Sequence, residues 1–582
     1  MQTIPEDPDR LRVLAMGMGF RDDPSASAAQ QFLQEYSDIT HSVRSIHLRL
    51  FKDFMEQTPH ESVVLSRILE QGTDEEGFLA RYGFSDAPEI ARRLSLIVSG
   101  KDKRPISSEP QRRFLQNLPD LLNSVSHSAD PDKSIIRLQQ MAEATGSPLS
   151  FFRSICGSEK GLNTFTSLAG ASNFLTQALV RHPEYIDMLA DTSSLARTRT
   201  LGGLVHDLTE RVKREEGEEE RLNALRRFRL REFLRIGVRD VSGMAATATV
   251  NREISLLAEA CIRVAYWMTC GAGGALQKLP GDLAAIGFGK LGGRELHYSS
   301  DVDLVFVSRQ TRDAPDAFRL FERGVKAVLD ALSRLTSEGR GFEVDLRLRP
   351  EGKGGMLAYP IEGYERYLRE NAKAWERQAL VRSRYVAGSK RLAELLMQEI
   401  REAVWGRPLT HEDLEELRHI KRRIENEKST QSGGSIDIKR GDGGILDVEF
   451  TVQILQLAWG ATVPDLNQPN TYQAIRALRD ASILPASEAD VLLRAYGFLR
   501  KCENRLQIAE ESAQDTISRE PAALGSFARR LGYSYKKPET AAERFLGDLE
   551  SHTTRVRAIH ERVYFELDLS RDAWQAPAQS LA

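Results

Sequence analysis

The chain has 582 residues, which is too many for one hydrophobic core, and this length predicts three or four domains. Hydrophobic residues make up 41% and charged residues 28%, as is usual for soluble globular proteins. A formal net charge of -3 excludes the overall positive field of a typical nucleic-acid-binding protein. No apolar run approaches the roughly 20 residues of a membrane span, and the four cysteines show no metal-binding or disulfide spacing. We therefore expect a cytoplasmic protein that binds neither nucleic acid nor membrane.

Apolar residues recur at helical spacing over most of the chain, which predicts a mainly α-helical protein. The segment 251–268 carries a continuous apolar stripe and begins with an asparagine placed to cap a helix. The segment 410–428 begins with a threonine, followed three residues later by an aspartate, which is the spacing of a capping box. The segment 99–111 contains serine, glycine and proline and is the best linker candidate.

One region, about 282–386, mixes strand and helix patterns. Short apolar runs predict strands over 283–287 and 302–307, and alternation of apolar residues predicts a third strand over 342–348. The opposite face of this third strand is charged and carries Glu343, Asp345, Arg347 and Arg349. A strand with such a face is either solvent-exposed or lines a site.

An internal repeat relates residues 3–51 to residues 516–564 without a gap. The match runs through a turn in which Gly19 corresponds to Gly532 and an aromatic residue follows each glycine. Two unrelated amphipathic helices share apolar and basic positions by chance, but not a fixed offset through such a turn. We therefore interpret the repeat as a duplication. It predicts that the chain begins inside the last part of a domain whose complete copy ends it.

The densest motif lies between Ile286 and Phe306, where the sequence reads IGFGKLGGRELHYSSDVDLVF. Glycines after the first apolar run allow the backbone to approach a ligand and to present N–H groups to phosphate oxygens. A lysine among them offers a positive charge to a phosphate. The spacing is not G-x-G-x-x-G, so Rossmann-type dinucleotide binding is not expected. The residues expected to contact a nucleotide here are Gly289, Lys290, Gly292, Gly293, Ser299 and Ser300.

Two aspartates of this motif, Asp301 and Asp303, stand at positions i and i+2 at the start of a predicted strand. Side chains at this spacing share one face of a strand, so the two carboxylates converge. Convergent carboxylates repel each other unless a cation lies between them, and hard oxygen ligands suit Mg²⁺. Asp345 is the natural third ligand, and Arg347 and Arg349 are placed to bind a triphosphate or pyrophosphate.

Each of these elements alone has an ordinary structural explanation. A glycine cluster can be a simple turn, a D-x-D pair can begin an exposed strand, and Asp345 can pair with an arginine. The combination of glycine turn, serine pair, paired aspartates and a later acidic strand favours a catalytic site.

Several long motifs resemble one known family. They are GFGKLGGREL (287–296), SSDVDLVF (299–306), EVDLRLRP (343–350), WERQALVR (375–382) and GGILDVEF (443–450). The family is the bifunctional glutamine synthetase adenylyltransferase/adenylyl-removing enzymes, and the resemblance covers nearly the whole chain. It implies a nucleotidyltransferase domain of the DNA-polymerase-β type, with a small mixed sheet. It also implies AMP transfer from ATP to a tyrosine of glutamine synthetase with Mg²⁺, under control of glutamine and a PII signalling protein. Asp301, Asp303 and Asp345 fall on the family's metal-binding positions.

The family enzyme carries two catalytic domains, each followed by a helical bundle, whereas this chain has one. The motif wording resembles the C-terminal, adenylyltransferase half, although the segment 498–506 is compatible with either half. The resemblance and the repeat together predict four regions. They are a remnant of a preceding bundle (1–66, the repeat of 514–579), a helical linker region (67–245), the catalytic domain (246–395) and a C-terminal helical bundle (396–582).

Two other functions remain open on the sequence. One is the reverse chemistry, phosphorolysis of adenylylated glutamine synthetase, and the other is a regulator that senses PII or glutamine without turnover. The roles of Lys439 and Arg440 are also open. Asp447 and Glu449 either face the nucleotide or lie at a solvated helix start. No general base is identified.

Overall fold

The computed structural model describes most of the chain. The described residues are 4–5, 7–22, 26–55, 59–74, 77–99, 108–190, 195, 197–271, 279, 281–310, 316–429, 434–510, 512, 514–533, 538–567 and 569. They form two compact units, one from residues 1–81 and 86–118 and the other from residues 82–85 and 119–582. The division near residue 118 falls inside the segment predicted as a helical linker, of which residues 100–107 lie outside the described part.

The first unit is helical. Its elements are α1 (Pro8–Gly17), α2 (Ala28–Met55), α3 (Pro59–Gln71), α4 (Ala87–Ser99) and the start of α5 (Glu109–Ser126). Asp7 caps α1 by accepting a hydrogen bond from the Arg10 amide at 2.9 Å, and Pro8 occupies the first helical position, where no amide hydrogen is needed.

The second unit begins with helices and then forms a sheet. The helices are α6 (Pro131–Ala144), α7 (Pro148–Ile155), α8 (Glu159–Ala171), α9 (Asn173–Arg181), α10 (Tyr185–Ala190), α11 (Leu201–Lys213), α12 (Glu218–Val241) and α13 (Thr247–Thr269). The sheet region contains β1 (Gly281–Gly287), α14 (Gly289–Gly293), β2 (Val302–Gln310), α15 (Ala317–Ser333), β3 (Val344–Asp345), β4 (Ala358–Pro360), α16 (Ile361–Glu370), α17 (Ala374–Leu380), β5 (Arg384–Gly388) and α18 (Lys390–Trp405).

A helical bundle, residues 411–560, follows the sheet. It contains α19 (His411–Ser429), β6 (Ser435–Asp437), α20 (Ile445–Trp459), α21 (Thr471–Asp480), α22 (Ala486–Glu510), β7 (Thr516–Ser518), α23 (Pro521–Arg530) and α24 (Pro538–His560). The short strands β6 and β7 pair antiparallel. The described residues confirm the prediction of a mainly α-helical chain with one α/β region. No helix among them is both long enough and apolar enough to cross a membrane.

The five-stranded sheet is mixed. Its strand order is β3-β2-β1-β5, and β4 also pairs with β2. β1 is antiparallel to both β2 and β5, whereas β3 and β4 run parallel to β2. Because β3 pairs with the first residues of β2, it lies beside the start of β2, where the paired aspartates are.

Two of the three predicted strands are confirmed, and the third is much shorter than predicted. Only Val344 and Asp345 of the segment 342–348 form a strand. The chain then leaves the sheet because the Asp345 carboxylate accepts a hydrogen bond from the Arg347 amide at 2.8 Å, which closes a turn. Pro350 follows soon after, and the residue before a proline disfavours the helical backbone region. Alternation of apolar residues therefore did not decide the length of this strand.

The two predicted helices are present, with one difference at a cap. In α19 the capping box is confirmed: the Asp413 amide donates to Thr410 Oγ1 at 3.1 Å, and the Thr410 amide donates to Asp413 Oδ2 at 3.0 Å. The predicted cap of α13 is wrong, since that helix begins at Thr247. Asn251 lies buried one turn inside it and donates a hydrogen bond to the carbonyl of Leu296 at 2.8 Å.

One hydrophobic core joins the sheet to the bundle. Ile286 of β1 and Val305 of β2 belong to the same buried cluster as Ile445 of α20 and Leu499 of α22. Burial of apolar area is the main stabilising term in folding, so sheet and bundle stabilise each other. The sheet and the bundle therefore form one packed body.

Among the described residues, the two copies of the repeat share one helix and the turn that follows it. The helices α1 and α23 occupy corresponding positions, and the turn after each contains a glycine with nearly the same positive φ, 98° at Gly19 and 99° at Gly532. The residue after each glycine donates its amide hydrogen to a carbonyl five residues back, at 3.1 Å in both copies. A turn of this kind favours glycine because other residues are strained at positive φ.

The side chains after the turn also correspond. The rings of Phe20 and Phe32 lie 5.8 Å apart with an interplanar angle of 72°, and those of Tyr533 and Phe545 lie 6.0 Å apart at the same angle. The surroundings differ: Leu531 is 5% exposed in the bundle, whereas its counterpart in the first copy, a methionine, is 62% exposed. The interpretation of residues 1–66 as a bundle remnant remains a prediction.

Gly443, in the loop before α20, packs tightly against helix α24 and so provides a test of bundle packing. A Cβ at Gly443, which has φ 68°, would overlap the carbonyl oxygen of Thr553. Gly443→Ala should therefore lower the free energy of unfolding by more than about 2 kcal/mol. The measurement is denaturant unfolding of the full chain.

Gly547→Ala is the matched control. Gly547 lies inside α24, and a Cβ there would meet no atom within 4 Å. Alanine should stabilise this helix by roughly 0.5–1 kcal/mol. Equal effects of the two substitutions would show that the contact at Gly443 is unimportant.

Candidate active site

The turn after β1 brings the backbone against an aspartate. A Cβ at Gly289 would overlap Oδ2 of Asp303, and Gly289 has φ 53°. Glycine therefore makes room for the carboxylate. The other two predicted glycines pack closely against protein backbone: a Cβ at Gly292 would overlap the carbonyl of Arg382, and one at Gly293 would lie 2.9 Å from the carbonyl of Pro469. Both are buried against protein backbone.

The sheet brings the three predicted carboxylates together. Asp303 and Asp345 are direct partners on the parallel strands β2 and β3. Asp301, two residues before Asp303, is exposed, whereas the Asp345 side chain is 14% exposed. Asp301 directly precedes β2, and its charge and that of Asp345 both act on Asp303, so the three acids lie near one another at one end of the sheet.

Burial and neighbouring carboxylates raise the pKa of two of these acids, Asp303 and Asp301. Burial, followed by the charges of Asp345 and Asp301, raises the pKa of Asp303 to about 7. Burial also raises the pKa of Asp301, with Glu343 and Asp345 as the next causes. Like charges held together in this way favour either a proton or a cation between them.

The two predicted arginines behave differently. Arg347 pairs with Asp345, with 2.5 Å between Nη2 and Oδ2 and 2.7 Å between Nε and Oδ2, and its side chain is 68% exposed. Arg349 instead donates Nε to the carbonyl of Gly355 at 3.0 Å and Nη1 to that of Leu346 at 2.9 Å. Arg349 therefore ties the loop after β3, while Arg347 lies at the carboxylates.

Lys290 contacts the bundle. Its Nζ lies 2.9 Å from Oε1 of Glu503 on α22, and its side chain is 17% exposed. Burial lowers the pKa of Lys290, and the Glu503 carboxylate opposes that shift. The electrostatic influence of Lys290 nevertheless reaches Asp303, whose pKa it lowers.

The two predicted serines hold the segment that leads into β2. The Ser300 hydroxyl accepts a hydrogen bond from the His297 amide at 2.9 Å. The Ser299 amide donates to Oε1 of Gln507 on α22 at 3.4 Å. Among the described residues, the buried Ser299 hydroxyl oxygen has no hydrogen-bond partner.

The sequence left the roles of Lys439 and Arg440 open, and the structure places the two residues differently. Lys439 pairs with Asp515 at 3.1 Å and lowers the pKa of Asp301, so it contributes positive charge to the site. Arg440 lines a cavity of about 570 Å³ in the bundle, together with residues that include Asp437 and Glu550.

Asp447 and Glu449 lie on helix α20, and both are buried in ion pairs, so the alternative of a solvated helix start is wrong. Asp447 accepts a hydrogen bond from Nζ of Lys421 at 2.5 Å, and Glu449 lies 3.2 Å from Nη1 of Arg382. Asp447 also lies near Glu425 and His560, a grouping that resembles a metal site. Lys421 and Arg557 supply the positive charge there, so an ion-pair cluster explains these acids.

Sequence reasoning missed the support that α22 gives to the site. Arg500, Glu503, Asn504 and Gln507 contact the segment around the glycine turn or the helix beside it. The sequence held a signal for this support, because these polar residues are spaced by three and four positions and so share one face of the helix. Where such a face is buried, its side chains need polar partners.

Comparison with known proteins identifies relatives of both parts of the chain. A family model described as glutamate-ammonia ligase adenylyltransferase matches residues 162–398, and one described as GlnD PII-uridylyltransferase matches residues 409–564. The chain is 30% identical to the bifunctional glutamine synthetase adenylyltransferase/adenylyl-removing enzyme of Leifsonia xyli subsp. xyli (strain CTCB07), over 97% of this chain and 54% of that protein. The enzyme of the same name from Nitrosococcus oceani is 29% identical over 86% of this chain and 54% of its own length.

Over most of its own length, the chain is similar to the bifunctional glutamine synthetase adenylyltransferase/adenylyl-removing enzymes. It spans about half the length of these curated relatives, which carry both activities in their name. The sheet that gathers the acids lies within the part matched by the adenylyltransferase model, and the bundle lies within the part matched by the uridylyltransferase model.

The acids have the chemistry of a divalent-cation site. Asp301, Asp303 and Asp345 offer hard oxygen donors, and a cation would relieve the repulsion that adds to burial in raising the pKa of Asp303. In an adenylyltransferase-like site these residues therefore fit Mg²⁺. Arg347 supplies positive charge to Asp345 from an exposed position.

The raised pKa predicts an unusual effect of Asp303→Asn on stability. With a folded-state pKa of about 7 and an ordinary value of about 4, Asp303 ionises earlier in the unfolded chain. The wild-type chain therefore loses stability as the pH rises through this window. In EDTA, Asp303→Asn should raise the melting temperature by a few degrees at pH 8 and by less at pH 5.

Added Mg²⁺ should favour the wild-type chain over Asp303→Asn in thermal stability. Because a ligand that binds the folded state stabilises it, added Mg²⁺ should raise the melting temperature of the wild-type chain more than that of Asp303→Asn. A variant less stable than wild type at pH 8 in EDTA would contradict the electrostatic assignment.

Proposed function

We propose that the chain transfers AMP from ATP to a tyrosine of glutamine synthetase in the cytoplasm, with Mg²⁺. The observation that carries the proposal is the pairing of Asp303 with Asp345 on neighbouring strands, beside Asp301 and a glycine turn. The names of the relatives supply the substrate, since adenylylation of glutamine synthetase is part of the name they share.

In this reaction the tyrosine oxygen forms a bond to the α-phosphorus of ATP while the bond to pyrophosphate breaks. Asp301, Asp303 and Asp345 would hold Mg²⁺, and the ion would supply charge neutralisation to the phosphates. Arg347 is exposed and long enough to exchange its carboxylate partner for a phosphate oxygen. Lys290 and Lys439 add positive potential from the turn and the bundle. The buried glycines 292 and 293 keep the turn packed rather than contact the nucleotide.

We also propose that the bundle carries the response to nitrogen status. Its match to a PII-uridylyltransferase model over residues 409–564 supports a PII-type protein as a regulator, and the family resemblance implies glutamine as the effector. Because the sheet and the bundle share one core, a ligand of the bundle has a direct physical route to the sheet.

The first test removes a metal ligand. Asp303→Asn should reduce AMP transfer by more than tenfold, because one carboxylate fewer weakens charge neutralisation in the transition state by several kcal/mol. The measurement is incorporation of label from α-labelled ATP into unmodified glutamine synthetase. Asp282→Asn is the control, since Asp282 lies at the other end of the sheet, where it pairs with Arg391.

Activity of Asp303→Asn above about a tenth of the wild-type value, which corresponds to only ~1.4 kcal/mol, would contradict the assignment. Absence of activity in the wild-type chain together with binding of PII or glutamine would favour the non-catalytic regulator.

The second test concerns direction. The acids serve adenylylation and phosphorolysis equally, so the geometry of the site does not distinguish them. Two features favour adenylylation. The motif sequences resemble those of the adenylyltransferase half of the family enzyme, and the catalytic domain follows a segment that repeats part of the bundle. Offered unmodified glutamine synthetase with ATP, and adenylylated glutamine synthetase with phosphate, the chain should incorporate AMP in the first reaction and release no ADP in the second. The opposite pair of results would assign phosphorolysis.

A further inference from the structure

The ammonium of Lys290 is held by a carboxylate from the bundle. Lys290 lies on the glycine turn, next to the residue that makes room for Asp303, and its Nζ is 2.9 Å from Oε1 of Glu503. Glu503 belongs to α22, more than two hundred residues further along the chain. A residue of the candidate active site thus takes its position from a different part of the unit.

Glu503 is fully buried, and two further basic side chains lie close to its carboxylate. Its Oε2 lies 2.7 Å from Nη1 of Arg500, and its Oε1 lies 3.3 Å from Nε2 of His297. Burial raises the pKa of this carboxyl, but Arg500, His297 and Lys290 outweigh it and hold the pKa well below its usual range. Glu503 is therefore a fixed negative charge. A buried charge held from several sides has little freedom to move.

The same helix supports the whole segment between the glycine turn and β2. Arg500 donates to the carbonyl of Glu295, and the Tyr496 hydroxyl, which donates to Glu449 at 3.0 Å, lies 3.4 Å from the Glu295 carboxylate. One turn beyond Glu503, Gln507 accepts from the Ser299 amide. These residues lie on one face of α22, so a shift of this helix would move the segment with it.

We propose that Glu503 is a positioning residue that fixes the Lys290 ammonium beside Asp303 and thereby sets the affinity of the site for the triphosphate of ATP. The proposal deepens the function proposed above and rests on it, because it assigns Lys290 to the nucleotide. Without the Glu503 charge, Lys290 would be buried near Arg500 and Lys439, with Glu449 as the remaining nearby acid. Like charges would then drive the ammonium from its place.

The test is a double-mutant cycle on the binding of Mg·ATP by the full chain. Lys290→Met and Glu503→Gln should each raise the Kd about tenfold, the loss expected for one charge-assisted hydrogen bond. The double variant should bind no more weakly than Lys290→Met alone, because Glu503 acts through Lys290. Kd is measured by titration calorimetry, and KM for ATP and KM for glutamine synthetase are measured separately. Only the KM for ATP should rise.

Two further variants separate positioning from stability. Glu503→Asp keeps the charge and retracts it by one methylene, so it should give an intermediate Kd, and it provides a second cycle should Glu503→Gln fail to fold. Asp240→Asn is the matched control, since Asp240 is equally buried and pairs with Arg505 of α22 at 2.6 Å, away from Lys290. It should change the Kd less than twofold.

The outcomes distinguish this inference from the proposed function. Non-additive Kd values with AMP transfer support both, and non-additive Kd values without AMP transfer support the positioning role while overturning the proposed reaction. Additive effects of Lys290→Met and Glu503→Gln, or an equal rise in Kd in Asp240→Asn, would overturn the positioning role. A wild-type chain that does not bind Mg·ATP would overturn both.

Discussion

Charges buried between the sheet and the bundle must each find an opposite charge, and this requirement determines how the two parts fit. An unpaired buried charge costs several kcal/mol. Glu503 meets Lys290 and Arg500, Glu449 meets Arg382, and further pairs follow α22 and α20. Apolar burial holds sheet and bundle together, but it is not directional. The ion pairs select one register between the helices and the glycine turn.

Much of the site was predictable because the residues that define it stand close together in the sequence. Asp301 and Asp303 are two residues apart on a strand, and a strand places such residues on one face whatever surrounds it. The partnership of Asp303 with Asp345 was inferred from the charged face of a predicted strand, and β3 places them side by side although that strand is short. The capping box at Thr410 and the turns at Gly19 and Gly532 are local in the same sense.

The remainder depends on contacts distant in sequence. Gly292 and Gly293 resemble ligand-contacting glycines until Arg382 and Pro469 are seen to occupy the space beside them. The partner of Lys290 stands on α22, and no spacing rule joins residues that far apart. Asp447 resembled an exposed acid at a helix start, yet it is buried against Lys421. Helix periodicity predicts which face is buried, but not which residue covers it.

The single core shared by sheet and bundle affects how the chain unfolds and how it can be divided. Ile286 of the sheet and Leu499 of the bundle are buried in the same cluster. A fragment that ended after α18 would leave the sheet side of this cluster in water, and a fragment that began at α19 would expose the bundle side. Two such halves would have to meet before either could become compact. The sheet and the bundle are therefore one cooperative folding unit.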